Sequence, residues 1–179
     1  MLTIDNSLLV LIDIQGKLAS LMHDKERLYK NFEIITKSMN ILKIPIIWME
    51  QVPDKLGPTI DEISRNLPDI TPIAKYTFSC FENADFKEKL KSINRKKIIL
   101  TGIETHICVF QTAYDLIKDG YDVQVIADCV SSRTKQNKKI GLKRMNQAGV
   151  VTTSCEMVLF ELMRSTKAEG FREITGLIK

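Results

Sequence analysis

Apolar runs of strand length alternate along the chain with segments whose apolar residues fall at helical spacing. The strand-like runs cover 7–14, 45–50, 96–103, 121–128 and 150–154. The first of them, SLLVLIDI, is almost continuously apolar, which is typical of a parallel-sheet strand that is buried on both faces. Strands that alternate with helices favour a parallel sheet with right-handed crossovers. The alternation therefore predicts a three-layer α/β Rossmann-like fold, with a central, mostly parallel sheet flanked by helices.

Helical patterns occupy most of the intervening sequence. They cover 24–42, 84–92, 106–119, 134–149 and 156–164, and the final segment GFREITGLI is expected to pack as a short helical tail. Residues 51–83 lack strong periodicity, so we predict a long loop with one short helix near 59–66; a loop of this length is usually functional. Because no linker, repeat or low-complexity tract interrupts the chain, residues 1–179 are expected to form a single domain.

Charge and cysteine content restrict the expected partners and location. The net charge is +4, and the densest basic segments lack interleaved aromatic residues, which argues against nucleic-acid binding. No apolar run approaches the roughly 18 residues of a membrane span, and the N-terminal segment lacks the basic start of a signal peptide. The four cysteines show no metal-binding spacing, so a cytoplasmic protein with reduced thiols is expected.

Polar residues follow the predicted strands at their carboxyl ends, the edge where open parallel sheets bind ligands. They are Asp13 and Gln15, then Glu50 and Gln51, then Glu104, Thr105 and His106, and finally Asp128, Ser131, Ser132 and Arg133. Cys108 lies in the first turn of the helix at 106–119, where free amides and the helix dipole stabilise a thiolate. This position is compatible with a nucleophile, and an ordinary buried thiol is the alternative. The other three cysteines are expected to be ordinary buried thiols.

Two further residues have side chains that do not suit their apolar surroundings. Asp13 interrupts an apolar run, so it either bonds loop amides or acts as a general base with a partner from another segment. Lys75 precedes Tyr76 and Phe78, and a lysine held against an aspartate can help to lower the pKa of a neighbouring thiol. His106 has no histidine or aspartate cluster around it, so no metal is expected.

Three separate segments together resemble, in order and spacing, the isochorismatase-like cysteine hydrolases. The stretch EQVPDKLGPTIDEI further resembles the small bacterial members and the related eukaryotic isochorismatase-domain proteins. The three segments are LLVLIDIQ, AKYTFSCF and LTGIETHICVFQTAYDLIKDGYDVQVIADCVSSR, and the resemblance extends over about residues 5–160. It implies a catalytic triad in which Asp13 takes the thiol proton, Lys75 holds the carboxylate, and Cys108 attacks a carbonyl carbon. It also implies an oxyanion hole formed by the backbone N–H groups of Glu104 and Cys108, and a cis peptide bond at Ile103–Glu104.

The resemblance implies a metal-free hydrolase that cleaves a small amide-like C–N substrate through a thioester, without a cofactor. The metal-containing nicotinamidases of this family carry an Asp/His cluster after the second strand, whereas this chain reads WMEQVPDKLG. The family also implies a homo-oligomer. Vinyl ether hydrolysis, as in true isochorismatases, and a non-catalytic binding or scaffold role remain open alternatives. Five residues are expected to contact the substrate, namely Gln15, Gln51, Phe78, Thr105 and His106.

Overall fold

The computed structural model describes residues 1–179, and its centre is a six-stranded sheet in which every neighbouring pair of strands is parallel. The strand order is β3-β2-β1-β4-β5-β6. This arrangement confirms the predicted α/β fold with a parallel sheet. The strands are β1 (Ser7–Ile12), β2 (Ile46–Gln51), β3 (Ile73–Lys75), β4 (Lys97–Ile103), β5 (Asp122–Ser131) and β6 (Val151–Thr153).

Nine α-helices connect and cover the strands. No helix is long and apolar enough to cross a membrane. The helices are α1 (Gly16–Ser20), α2 (Lys25–Ile41), α3 (Pro53–Leu56), α4 (Asp61–Ser64), α5 (Ala84–Ile93), α6 (Phe110–Lys118), α7 (Lys135–Gln147), α8 (Cys155–Met163) and α9 (Phe171–Ile178).

The buried core lies on both faces of the sheet, because side chains of a strand point alternately to opposite sides. On one face, Leu9 of β1 packs in a cluster with apolar side chains of α2, α8 and α9, such as Phe32. On the other face, Leu8 of β1 packs in a cluster with side chains of α5, α6 and α7, such as Phe86. All six residues of β1 are buried, which explains the continuous apolar run in its sequence.

The predicted boundaries hold within a few residues, with three differences. Strand β1 ends at Ile12, so Asp13 follows the strand. Strand β5 continues to Ser131, three residues beyond the predicted end. Within the predicted loop at 51–83 the structure has helices α3 and α4 and the edge strand β3. Strand β3 has only three residues, of which one is buried, so it produces no alternating pattern in the sequence.

The carboxyl half of β4 passes very close to β1. Gly102 pairs with Ile12 and has φ of +133°. A Cβ atom on Gly102 would lie 2.2 Å from the carbonyl oxygen of Ile12, so only glycine fits without a shift of the backbone. This close approach places the ends of β1 and β4 side by side, and the residues that follow each strand therefore share one edge of the sheet.

Candidate active site

Asp13 follows β1 directly and is turned by an unusual backbone conformation. Its φ is +57°, in the left-handed region, which aspartate tolerates better than most residues. Its N–H donates a hydrogen bond to the carbonyl of Met49 in the adjacent strand, at 3.1 Å. The side chain is 2% exposed. A buried carboxylate at this position therefore needs compensation from a neighbouring charge or donor.

Lys75, the last residue of β3, supplies that charge. Its side chain is completely buried, and its Nζ lies 2.7 Å from Oδ2 of Asp13. The ammonium donates hydrogen bonds to Oε1 of Gln51 and to the carbonyl oxygens of Thr77 and Phe78, the last two at 3.2 Å. Four oxygen atoms thus surround the ammonium group, which holds it against the carboxylate.

Cys108 lies in a π-helical turn, Thr105–Val109, that connects β4 to α6. Its side chain packs with the cluster that covers the α5–α7 face of the sheet, and the residue is 7% exposed. The thiol lies near enough to the Asp13 carboxylate for the aspartate charge to raise the pKa of the thiol. The structure therefore brings together Asp13, Lys75 and Cys108, which come from three distant segments of the sequence.

The electrostatics of this cluster differ from one expectation drawn from the sequence. Burial raises the pKa of the Cys108 thiol well above its ordinary value, the Asp13 charge raises it further, and Lys75 opposes this only in part. The sequence led us to expect a lowered thiol pKa, because the first turn of a helix favours an anion. That expectation was wrong, since removal of water from the thiol and the charge of Asp13 together outweigh the charge of Lys75.

The pKa values of Asp13 and Lys75 also differ from their ordinary values. Burial raises the pKa of Asp13, and the charge of Lys75 lowers it by less. For Lys75 burial lowers the pKa, but the attraction of Asp13 and of the nearby thiols outweighs burial and the net pKa is raised. The resting site therefore holds an ammonium, an aspartate that accepts protons more readily than usual, and a neutral thiol.

Glu104 links β4 to the π-helical turn. Its backbone carbonyl is hydrogen-bonded within the protein, and its backbone N–H is not. The Ile103–Glu104 bond is cis, as the resemblance implies. The Glu104 carbonyl accepts hydrogen bonds from the N–H groups of Ile107 at 3.0 Å and Val109 at 3.4 Å. The Glu104 N–H donates no hydrogen bond within the protein. An unpaired backbone donor thus lies four residues before Cys108.

Three of the five expected substrate-contact residues belong to the framework of the cluster. Gln15 is fully buried: its amide nitrogen donates to the carbonyls of Gln51 and Gly57, at 3.1 and 2.7 Å, and its Oε1 accepts from the Gln51 N–H at 2.6 Å. Gln51 in turn binds Lys75. Phe78 contributes its carbonyl to Lys75, while its ring is exposed.

The remaining two expected contacts lie on the π-helical turn. Thr105 is fully buried, and its hydroxyl has no hydrogen-bond partner. His106 shares a hydrogen bond between Nδ1 and the Ser132 hydroxyl, at 3.0 Å. Gly141 of α7 packs directly on the backbone of this turn, where a Cβ atom would lie 2.9 Å from His106. The histidine side chain is therefore engaged with the end of β5, and the structure does not bring it to the three-residue cluster.

Sequence reasoning missed two polar contacts that support the site. Arg133 binds the carboxylate of Glu104 through its N–H and its Nε. Buried Glu50 accepts a hydrogen bond from the N–H of Thr59, at 2.6 Å, and its charge adds to the rise in the pKa of Asp13. Both acidic residues stand at strand ends in the sequence, which signals their location, but no local pattern indicates their partners.

The three side chains of the cluster are almost fully buried. A cleft of about 360 Å³ lies elsewhere, beside Asp128 and Lys138. No group of three or more histidine, cysteine, aspartate or glutamate side chains is arranged to hold a metal ion.

All four cysteines are free and buried. Burial raises the pKa of Cys80 to about 12, with a further contribution from Asp13.

Comparison with known sequences shows which family the chain resembles. The model of the isochorismatase domain matches residues 7–157. Isochorismatase family protein 1A of Dictyostelium discoideum is 34% identical over 177 residues, which cover 97% of this chain and 86% of the relative.

Comparison with solved structures gives three close folds. MAR1 ribonuclease from Caenorhabditis elegans has a TM-score of 0.93 at 34% identity, covering 99% of this chain and 91% of that one. YcaC from Pseudomonas aeruginosa, solved with hexane-2,5-diol and covalent acrylamide, has a TM-score of 0.93 at 25% identity, with 98% and 90% covered. YcaC from Escherichia coli, described as an octameric hydrolase of unknown specificity, has the same score and identity, with 98% and 89% covered.

Proposed function

The chain belongs to the isochorismatase family, and from this premise we propose that it is a cysteine hydrolase that cleaves a small amide-like C–N bond through a thioester, without a metal. One observation supports this proposal above the others. The buried Asp13–Lys75 pair, with 2.7 Å between Oδ2 and Nζ, lies directly against the Cys108 thiol. A nucleophile, a base and a group that orients the base are the components of covalent hydrolysis.

The first step joins proton transfer to attack. Because its pKa is raised, the thiol is neutral at rest. Asp13, whose pKa is also raised, takes the thiol proton as Sγ of Cys108 bonds to the carbonyl carbon of the substrate. Lys75 keeps its proton and holds the carboxylate in position through this step. Burial of these side chains places them in an environment less polar than water, which strengthens each of these electrostatic interactions.

The remaining steps return the site to its starting state. The carbonyl oxygen becomes an oxyanion, for which the free N–H of Glu104 and the N–H of Cys108 are the proposed donors. The C–N bond then breaks, and the leaving amine takes the proton from Asp13. A water molecule, activated by the same carboxylate, attacks the thioester, and the acid product leaves as the proton returns to sulfur.

Covalent chemistry in a relative supports this assignment. The YcaC structure from Pseudomonas aeruginosa contains covalent acrylamide. Acrylamide is an electrophile that adds to nucleophilic side chains such as thiolates. The small size of that reagent agrees with the buried cluster of this chain, in which Cys108 is almost fully buried.

We also propose that the chain forms a homo-oligomer in a reducing, cytoplasmic location. The related YcaC from Escherichia coli is an octamer. Helix α8 exposes Met157 and Phe160, and large apolar side chains that face solvent together are typical of interfaces. The four free cysteines suit a compartment that keeps thiols reduced.

Ammonia release from a panel of small primary amides and N-carbamoyl compounds tests the proposed function. The wild-type protein is expected to hydrolyse at least one member, and Cys108→Ala is expected to lose about 10³-fold or more of that rate. Asp13→Asn is expected to lose activity to a similar extent, because residues that act as one unit are not additive. Cys129→Ala, which removes another buried thiol, is the matched control and retains activity.

The outcomes separate the alternatives. An active Cys108→Ala variant would contradict the thioester route and favour a route such as vinyl ether hydrolysis. A wild-type protein that turns over no member of the panel would favour a binding role. RNA belongs in the panel because the relative from Caenorhabditis elegans is named a ribonuclease. RNA cleavage that persists in Cys108→Ala would overturn the proposal.

A further inference from the structure

The carboxylate of Glu104 is held by a single residue. Glu104 is 6% exposed, and its Oε2 accepts a hydrogen bond from the Arg133 N–H at 3.0 Å. The Nε of Arg133 lies 3.2 Å from Oε1 and 3.3 Å from Oε2. Arg133 itself is more than half exposed. A nearly buried charge therefore depends on a partner at the surface, and removal of that partner would leave the carboxylate uncompensated.

A change of register in the sheet brings Arg133 to this position. Strand β5 pairs regularly with β4 up to Val125 and then resumes three residues later than regular pairing would place it, with Val130 opposite Gly102 and Ser131 opposite Ile103. The chain that continues from Ser131 therefore runs beside the residues that follow β4. Continued regular pairing would instead place Asp128 opposite Ile103 and Arg133 three residues further along the chain from this edge.

The segment that carries Arg133 is itself anchored. The Ser131 hydroxyl donates to the carbonyl of His23 at 2.7 Å, and the N–H of His23 donates to the carbonyl of Ser132 at 2.9 Å. The Ser132 hydroxyl also bonds the ring of His106, within the π-helical turn. Arg133 therefore follows a segment that hydrogen bonds hold in place.

We propose that Arg133 is a positioning residue, which holds the side chain of Glu104 so that the free backbone N–H of Glu104 is presented to the oxyanion. The proposal rests on the proposed function. Two amides fix the carbonyl of Glu104 and Arg133 fixes its carboxylate, so the N–H is the only polar group of this residue left without a partner. Neither Glu104 nor Arg133 is required to touch the substrate through its side chain.

A hydrogen-bond donor in this position stabilises the transition state more than it stabilises the bound substrate. A carbonyl oxygen gains negative charge as sulfur attacks, and a donor aimed at that charge accelerates the step more than it improves substrate binding. Loss of Arg133 is therefore expected to slow the attack on carbonyl carbon. A reaction of the same thiol at a saturated carbon places no charge on a carbonyl oxygen and is not expected to depend on this arginine.

Two reagents separate these effects at Cys108. With p-nitrophenyl acetate, a bond forms between Sγ and the acyl carbon, the C–O bond breaks, p-nitrophenolate leaves, and the thiol proton passes to Asp13. With iodoacetamide, a bond forms between Sγ and the methylene carbon, the C–I bond breaks, iodide leaves, and the thiol proton passes to Asp13. We expect Arg133→Ala to slow acylation about tenfold or more and to leave the rate of alkylation within about twofold.

Controls exclude a general loss of structure. Arg65→Ala is the matched control, since Arg65 is an exposed arginine that pairs with a carboxylate, Glu33, far from the cluster; both of its rates are expected to stay at the wild-type level. Arg133→Lys is expected to recover part of the acylation rate, because an ammonium can still approach the Glu104 carboxylate.

Two results would overturn the inference while the proposed function stands. One is an equal fall of the acylation and alkylation rates in Arg133→Ala, which would show a structural role only. The other is no fall in acylation. A wild-type protein in which neither reagent modifies Cys108 would instead overturn the proposed function, and the inference with it.

Discussion

At the scale of single residues, the Asp13–Lys75 pair is an ion pair that is costly to bury. Both side chains are almost completely removed from water, and the penalty for desolvating two charges often exceeds their attraction. Replacing such a pair by neutral groups of similar size is often neutral or stabilising. An ion pair that contributes little to stability and lies against a thiol is best explained by a role in chemistry.

Unfolding measurements can separate that role from stability. Asp13→Asn and Lys75→Met, made singly, are each expected to lower the free energy of unfolding by about 3–5 kcal/mol, because each leaves an unpaired charge. The double variant is expected to lose much less than the sum and to be inactive. Urea unfolding of the three variants measures this, and additive losses would contradict it.

The pKa of Asp13 predicts the acidic limb of the activity profile. Its folded pKa is raised above the ordinary value of 3.8, so the base form disappears as pH falls through a value higher than that of an exposed aspartate. Lys75 has a pKa raised above 10.5, so its loss of charge produces no limb below that pH. A profile of kcat/KM against pH tests both; an acidic limb at or below 3.8 would contradict the assignment of the base.

At the scale of elements, the passage of β4 beside β1 fixes the geometry of the site. Gly102→Ala places a Cβ against the backbone of Ile12 at a positive φ, and we expect a loss of about 3 kcal/mol or more in the free energy of unfolding. Gly176→Ala in α9 is the control, with open space and an ordinary φ; it is expected to stabilise by about 0.5–1 kcal/mol. Thermal unfolding of both variants provides the measurement, and equal effects would contradict this description.

Some helices and strands could be predicted from the sequence, and others could not. Strand β1 and helix α2 were predictable because each is long and its apolar period is clear. Strand β3 was not, since it is a three-residue edge strand; Lys75 was recognised through the resemblance and not through its element. The contact between Arg133 and Glu104 follows a shift of register between β4 and β5. The local sequence of β5 does not predict that shift.

The same limit applies to the thiol of Cys108. Its position near the start of a helix was readable from the sequence, and that position favours an anion. The direction of its pKa shift depends instead on how completely the surrounding layers exclude water. Burial of one atom is a property of the folded molecule, so the sequence could indicate where the thiol lies and not how readily it ionises.

At the scale of the whole molecule, the exposed face of α8 is the surface we expect to join copies of the chain. Met157 and Phe160 are three residues apart on one side of this helix, and both are exposed. Replacing both by lysine is expected to reduce the mass of the particle in light scattering. Leu21→Lys, at another exposed apolar side chain, is the control and leaves the mass unchanged. An unchanged mass in the double variant would place the interface elsewhere.

The whole fold also gathers the three residues on which the account depends, each from a different strand end of one sheet edge. Acyl-group mapping tests their assignment most directly. The protein is treated with p-nitrophenyl acetate, quenched in acid and digested, and the peptides are examined by mass spectrometry. We predict a single acetyl group on Cys108, removable by hydroxylamine and absent in Asp13→Asn. An acetyl group on Cys80, Cys129 or Cys155 instead, or none on any cysteine, would contradict the account.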